Sequence, residues 1–249
     1  MAAPVKIVGS YLSPYVRKVL VALHLKGVAY EIDPIIPFMG DERFSKLSPL
    51  RRIPVLIDDQ VTLADSTVIC EYLQDRYPTP ALYPQDIVRR ARARWLEEFA
   101  DTRMGDVFIW QLFNQVAINP YVFGVETDPE ALQRTLEHEL PDVLDYLEGQ
   151  LPAGGFLFGA PSIADISIAC FFRNATFSRY AVDAGRWPKV AGFVARVLAL
   201  PAFARLSPLE DRMIRTPIPR QREALAELGA PLLAETCGTA TPRRGVMRT

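Results

Sequence analysis

Three prolines fall within residues 78–84 and divide this chain of 249 residues into two parts with different hydrophobic periodicity. Proline interrupts both helices and central strands, so neither pattern continues through this segment. Short apolar runs alternate with helical patterns before it, and long helical patterns follow it. We therefore predict two domains, at 1–80 and 86–216, and a C-terminal tail at 217–249 that is partly disordered.

The first part alternates strand and helix. Its predicted elements are strand, helix, strand, connecting helix, two hairpin strands and a final helix, at 5–8, 13–27, 29–36, 41–47, 53–57, 61–63 and 67–77. Ser13 suits an N-cap, Pro14 the first helical position and Gly27 a C-terminal stop. This order, βαβ-α-ββα, predicts a small sheet covered by helices.

The second part is helical throughout. Apolar residues at helical spacing predict helices at 86–116, 128–151, 162–180 and 188–200. The fold class is therefore α/β followed by all-α. In the tail a short helix is possible at 221–228, and the last fifteen residues are predicted to be disordered.

Charge and cysteine content limit the partners of the chain. The 28 basic and 29 acidic side chains nearly cancel, so no nucleic acid or anionic membrane is expected as a partner, and no apolar run is long enough to span a bilayer. Three scattered cysteines and two histidines lack the spacing of a disulfide framework or a metal site. With no export signal at the N-terminus, we expect a cytoplasmic protein without metal.

A hydroxyl at the start of the first predicted helix is the first candidate for chemistry. Ser13 is explained by capping alone, since Ser-Pro before an apolar helix is common. A hydroxyl at the positive end of a helix is also placed to donate a hydrogen bond to a bound thiolate, whose pKa the dipole lowers. Both interpretations stay open, and Tyr11 is the alternative hydroxyl.

Two later motifs follow Ser13 along the chain. They are Arg51-Arg52-Ile53-Pro54-Val55-Leu56 and Ala64-Asp65-Ser66-Thr67-Val68-Ile69. In this order and spacing, from Val5 to about Leu206, the chain resembles the cytosolic glutathione transferases, and its serine most resembles the tau class and many bacterial relatives. The resemblance implies a thioredoxin-like domain that binds glutathione, a helical domain with the second-substrate site, and a homodimer.

The resemblance also implies which residues contact glutathione. The Ile53–Pro54 peptide would be cis, and the backbone of Ile53 would pair with the cysteinyl part of the tripeptide; alternatively Pro54 merely starts an edge strand. The hydroxyl and N–H of Ser66, at a helix start, would hold the γ-glutamyl carboxylate. Asp65, where relatives more often have Glu, would face the α-ammonium group.

Further binding residues are predicted in both domains. Arg52 matches a basic residue that binds glutathione in relatives, and Lys46 would reach the glycyl carboxylate or remain a solvated surface residue. In the helical domain, Met104, Phe108 and Gln111 share one helical face and are predicted to line an apolar substrate pocket. Core packing explains the same stripe equally well.

The expected reaction follows from the side chain at position 13. Thiol-transferring relatives carry cysteine there, whereas Ser13 cannot form a mixed disulfide. We therefore expect a glutathione transferase that stabilises the glutathione thiolate for attack on a hydrophobic electrophile or peroxide, as in detoxification. The alternatives are a non-enzymatic binding or regulatory module, or a glutathione-dependent isomerase or dehalogenase. Ser162 and Asp165 form a predicted capping box with a role in folding.

Overall fold

The computed structural model describes residues 4–243 and divides them into two compact units. The first unit contains the described residues up to Pro80 together with those from Pro201 onward, and the second is formed by Ala81–Leu200. The predicted break at 78–84 lies at the first boundary. At the other end the structure differs from the predicted boundary, because residues 201–216 pack with the N-terminal unit.

The first unit is built on a mixed four-stranded sheet with strand order β2-β1-β3-β4. The strands are β1 (Val5–Val8), β2 (Tyr30–Asp33), β3 (Val55–Ile57) and β4 (Thr62–Ala64). The helices are α1 (Pro14–Lys26), α2 (Glu42–Leu47) and α3 (Ser66–Arg76). β1 is parallel to β2 and antiparallel to β3, which is antiparallel to β4. The predicted thioredoxin-like order is confirmed.

The sequence fixes both ends of α1 locally. Ser13 is the N-cap, and Gly27 ends the helix at φ 65°, a left-handed conformation that glycine adopts without steric cost. Val16, Val19 and Leu20 are fully buried. Burying a side chain of this size contributes about 1.5–3 kcal/mol, so the apolar face holds the helix in place.

A hydrogen-bonded carboxylate closes the β3–β4 turn. Asp58 accepts the N–H groups of Gln60 and Val61 at 2.8 and 2.9 Å, the Tyr72 hydroxyl at 2.5 Å and the Arg76 guanidinium at 3.2 Å. Burial alone raises the pKa of Asp58, but these hydrogen bonds and the charge of Arg76 outweigh it and hold the pKa below its usual value. The network ties the hairpin to the last turns of α3.

The second unit is all-helical. Its helices are α4 (Ile87–Phe99), which continues as a wider π-type helix (Ala100–Phe123), α5 (Pro129–Arg134), α6 (Leu140–Gln150), α7 (Ile163–Phe177) and α8 (Pro188–Leu198). A second π-type stretch (Thr135–Glu139) joins α5 to α6. α7 is buried along most of its length and forms the centre of the unit. The predicted helical character of this region is confirmed.

The capping box at the start of α7 is also confirmed. The carboxylate of Asp165 accepts the N–H of Ser162 at 2.9 Å and its hydroxyl at 2.5 Å, and it accepts the N–H of Leu157 at 2.9 Å. Burial raises the pKa of Asp165, and the hydrogen bonds oppose that shift. One side chain therefore satisfies the helix start and the loop before it.

Two further helices follow in the first unit, α9 (Pro201–Ile214) and α10 (Gln221–Glu227). α9 was not predicted, since Pro208 interrupts its pattern. The prediction of a disordered end is wrong for residues 235–243, which form backbone hydrogen bonds with residues 38–41. Residues 244–249, also predicted to be disordered, lie outside the described part of the chain.

Within residues 4–243 no single helix is long and apolar enough to cross a membrane, and α8 and α9 meet such a test only when they are counted together across the break between them.

Candidate active site

The strand register brings three separate segments to one end of the sheet, where β1 and β4 finish and β3 begins. Val55, the first residue of β3, pairs with Val8 at the end of β1 on one side and with Ala64 at the end of β4 on the other. The loop after β1, the Ile53–Pro54 peptide and the start of α3 adjoin these three positions. The topology therefore gathers three of the predicted glutathione-binding segments at one place.

Ser13 lies at the N-terminus of α1 with its side chain half-buried. Its Oγ accepts the N–H of Val16 at 3.4 Å, and its own N–H bonds the carbonyl of Ser10 at 3.1 Å. Within residues 4–243 the Ser13 hydroxyl donates to no other group. It caps the helix as an acceptor and keeps its proton available for a second partner.

Ile53 precedes β3 and the peptide bond to Pro54 is cis, as the resemblance implies. The backbone N–H and C=O of Ile53 bond no partner in the described part of the chain. Gly9 packs directly on this residue, because a Cβ atom added to Gly9 would lie 3.2 Å from the Cβ of Ile53 and 2.6 Å from Val16. The backbone of Ile53 is thus fixed in position with its polar groups unused.

The start of α3 presents a carboxylate and a hydroxyl. Asp65 is exposed, and its Oδ1 accepts the N–H groups of Thr67 and Val68 at 2.9 and 3.2 Å. Ser66, the first helical residue, is 5% exposed. One carboxylate oxygen therefore caps the helix, while Oδ2 bonds no residue among 4–243, and the helix N-terminus favours a bound anion.

A buried lysine joins the first and third helices. Lys18 of α1 is 1% exposed, and its ammonium group donates to the hydroxyl of Thr67 at 3.1 Å. This contact was not predicted from the sequence. The signal was the pair Arg17-Lys18 within an otherwise apolar stretch, since such side chains are buried only when they have partners.

The last turn of α2 and the loop that follows it carry the two predicted basic contacts. Lys46 and Arg52 are both exposed. Ser48 closes the loop, since its hydroxyl accepts the Arg52 N–H and donates to the Arg52 carbonyl, both at 2.9 Å. Ser48 therefore closes the loop that places Arg52 directly before Ile53 in the chain.

Arg51 is a second basic residue that sequence reasoning did not assign. It has φ 51° and its guanidinium bonds the Gly40 carbonyl at 2.7 Å and the Ser45 hydroxyl at 2.5 Å, above the Phe44 ring. The side chain is 8% exposed. Arg51 therefore points into the α2 segment and holds it together.

The alternative hydroxyl, Tyr11, lies in the interior. Its side chain is 1% exposed. Burial and the neighbouring Tyr30 raise the pKa of Tyr11 far above its usual value, so the phenol stays protonated. Of the two predicted hydroxyls, the geometry favours Ser13 as the group that reaches a bound thiol.

A buried ion pair braces the loop that carries Ser13. Arg17 Nε lies 2.5 Å from a carboxylate oxygen of Glu210 on α9, and Arg17 Nη2 donates to the Tyr11 carbonyl at 3.3 Å. Both side chains of the pair are at most 2% exposed. The partner comes from the helix that was not predicted, so sequence alone gave no indication of the pair.

The predicted substrate-pocket residues lie in the second unit. Met104 and Phe108 are fully buried, and the Phe108 ring packs edge-to-face on Phe172 of α7 at 5.0 Å. Gln111 is half-buried and its amide donates to Asp106 at 3.1 Å. For Met104 and Phe108 this geometry favours the alternative of core packing.

This end of the sheet in the first unit has the groups that an anionic thiol tripeptide requires. Two helix N-termini attract negative charge, the Ile53 backbone offers a donor and an acceptor, and Lys46 and Arg52 add positive charge. The described residues thus fit glutathione through backbone and short polar side chains.

Comparison with known proteins places the chain in a family. Its residues 7–81 match the glutathione S-transferase N-terminal domain and residues 92–196 match the C-terminal domain. It is 30% identical over 208 residues to the uncharacterized GST-like protein YibF of Escherichia coli, covering 82% of this chain and 98% of that protein. It is 30% identical to the maleylacetoacetate isomerase of Rattus norvegicus, covering 75% and 84% of the two chains.

A solved structure agrees with these matches. The glutathione S-transferase of Rhodospirillum rubrum superposes with a TM-score of 0.73 at 26% identity, over 88% of this chain and 99% of that one. The fold, the segments gathered at one end of the sheet and the matches over both domains lead to one conclusion. The chain belongs to the glutathione S-transferase family.

Proposed function

We propose that this protein is a glutathione transferase of the serine type, similar to the tau class, in which Ser13 stabilises the thiolate of bound glutathione. The observation that carries the proposal is the Ser13 hydroxyl. It is half-buried at the N-terminus of α1, donates to no described residue, and follows the loop after β1, which leaves the sheet beside the strand ends that adjoin the Ile53–Pro54 peptide and the start of α3.

The proposed step is a nucleophilic substitution. The glutathione thiol loses its proton, the thiolate sulfur forms a bond to the electrophilic carbon, and the leaving group departs with the bonding electrons. A free thiol with pKa of about 8.5 is roughly 3% ionised at pH 7, and lowering the pKa by about 1.5 units makes it roughly half ionised. Ser13 and the α1 dipole both act in this direction.

The remaining residues of the site orient the tripeptide. Ile53 pairs with the cysteinyl backbone, Ser66 holds the γ-glutamyl carboxylate, and the free oxygen of Asp65 faces the α-ammonium group. Lys46 and Arg52 attract the glycyl carboxylate. The second unit supplies the site for a hydrophobic electrophile or peroxide.

Isomerisation is the second candidate function. The likeness to the rat maleylacetoacetate isomerase supports it, since that relative is matched over 84% of its length. The same thiolate would add to a conjugated double bond, allow rotation about the resulting single bond, and leave again. Glutathione would then be a cofactor that is regenerated.

The test is glutathione binding by calorimetry, followed by turnover with electrophiles, peroxides and a cis-configured conjugated diacid. Conjugate formation supports the transferase, and isomerised product without glutathione consumption supports the second candidate. Binding without any turnover favours a non-enzymatic module, and absence of binding rejects both enzymatic proposals.

A cytoplasmic homodimer completes the proposal. On α4, Ile87, Val88 and Trp95 are 71%, 74% and 55% exposed, and Val68 on α3 is 47% exposed. Exposed apolar groups of this kind are typical of interfaces, and two copies related by a two-fold axis would cover them. Light scattering at micromolar concentration tests this, and a monomer mass rejects it.

A further inference from the structure

The C-terminal segment of residues 230–243 follows the edge of the sheet and then the chain that leads into α2. The Ile32 N–H donates to the Pro231 carbonyl at 2.7 Å, and the Leu233 N–H donates to the Ile32 carbonyl at 2.9 Å. These bonds add a short parallel pairing to β2, the outer strand. The segment lies beyond both regions that match the family, since the second of them ends at residue 196.

Further backbone bonds continue from the strand edge toward α2. The Asp41 N–H donates to the Cys237 carbonyl at 2.8 Å, and the Thr239 N–H donates to the Met39 carbonyl at 2.7 Å. Asp41 is the N-cap of α2. The C-terminal segment is therefore bonded directly to the start of the helix that carries Lys46.

Asp33 connects this segment to the loop after β1, which begins with Gly9. Its side chain is 2% exposed; Oδ1 accepts from Arg222 of α10 at 3.2 Å and Oδ2 accepts the N–H of Cys237 at 2.7 Å. Its backbone carbonyl accepts the N–H of Gly9 at 2.9 Å. Gly9 in turn packs against Ile53. Two hydrogen bonds to Asp33 and one packing contact thus connect the C-terminal segment to Ile53 of the proposed glutathione site.

A hydrophobic cluster gives a second connection. Cys237 packs against the cluster of Val8, Ile35, Phe44 and Val55, which Ile53 also contacts. The interior of such a cluster transmits a displacement because it is close-packed. Arg222 also donates to the Leu233 carbonyl, so one guanidinium holds both the carboxylate and the segment.

We propose that Asp33 and Arg222 are positioning residues, through which the C-terminal segment holds the Gly9 loop and α2 in the geometry that binds glutathione. The inference rests on the proposed function. Without Arg222, the buried Asp33 carboxylate loses its cation and the Leu233 carbonyl loses its donor. A buried carboxylate is costly without its cation, so the C-terminal segment is then released from Asp33. The tripeptide then binds a looser site, whereas Ser13 keeps its own cap bond to Val16.

The experiment uses Arg222→Gln in the full-length chain. We expect the glutathione KM and dissociation constant to rise about tenfold, with kcat within about twofold of wild type. Hydrogen exchange at the amides of Gly9, Asp41 and Thr239 should accelerate. Arg222→Lys keeps the charge and should restore most of the affinity, and Arg220→Gln, which removes an exposed arginine two residues away, is the matched control.

A second variant tests the same inference if Arg222→Gln does not fold. Thr239→Pro removes the N–H that bonds Met39 without altering Asp33, and it should weaken glutathione binding in the same direction. Unchanged affinity in both variants overturns the inference, as does faster exchange without a change in affinity, or a fall in kcat at constant KM. If the wild type binds no glutathione, the proposed function fails. Hydrogen exchange in Arg222→Gln still shows whether the C-terminal segment orders Gly9.

Discussion

Replacing Ser13 by alanine separates its two roles as cap and as catalytic group. The cap bond to Val16 is long, 3.4 Å, so we expect a loss in unfolding free energy at the low end of the range for caps, about 0.5–1 kcal/mol. The lost hydrogen bond to the thiolate is charge-assisted and contributes about 1.5–3 kcal/mol. Turnover should therefore fall tenfold or more, since about 1.4 kcal/mol corresponds to a factor of ten.

The assay measures the conjugation rate at saturating glutathione beside thermal unfolding. Ser13→Thr retains a hydroxyl and should recover part of the rate. Tyr11→Phe removes the buried hydroxyl and should leave the rate unchanged. A Ser13→Ala protein with full turnover and the expected loss of stability would show that Ser13 only caps α1, and a large rate loss in Tyr11→Phe would refute our choice of hydroxyl.

Four further predictions test other parts of the structure. Asp65→Ala and Ser66→Ala should weaken glutathione chiefly through affinity, because they hold the end of the tripeptide remote from its sulfur; unaltered calorimetric affinity in both would reject the binding site. Asp165→Ala should cost about 2 kcal/mol or more in unfolding free energy, because it leaves buried donors unsatisfied, while glutathione affinity in the folded protein stays the same. The pKa of Asp58 is lowered by folding, so the stability that this carboxylate contributes is present above its unfolded pKa of about 4 and is lost as pH falls through the folded pKa. Asp58→Asn should therefore flatten the acid side of the pH profile of unfolding free energy, measured by denaturant titration. Ser13→Cys should lose conjugating activity and gain disulfide reduction, with one glutathione adduct at position 13 by mass spectrometry and controls for the three native cysteines.

Local chemistry explains why much of the first unit was predictable. The Ser13 cap, the Gly27 stop and the capping box of Asp165 each act within a few residues, so the sequence pattern contains the whole interaction. The pairing of Val55 with Val8 and Ala64 follows once the strand order is known.

Two of the missed features depend on contacts between residues distant in sequence. Arg17 meets Glu210 across 193 positions, and Asp33 meets Cys237 across 204. A carboxylate or an arginine in isolation gives no indication of its partner, so residues 201–216 were assigned to the helical domain and residues 235–243 to a disordered end. Met104 and Phe108 illustrate the opposite difficulty, because a helical apolar stripe fits a substrate wall and a core equally well.

The ionisation of bound glutathione shows directly whether Ser13 stabilises its thiolate. The ultraviolet absorbance of the thiolate is followed against pH for glutathione bound to the wild type and to Ser13→Ala. If Ser13 stabilises the thiolate, the thiol pKa in the wild type should lie at least about one unit below that of free glutathione and return toward the free value in the variant. A bound thiol that titrates like free glutathione in both proteins would contradict this role of Ser13.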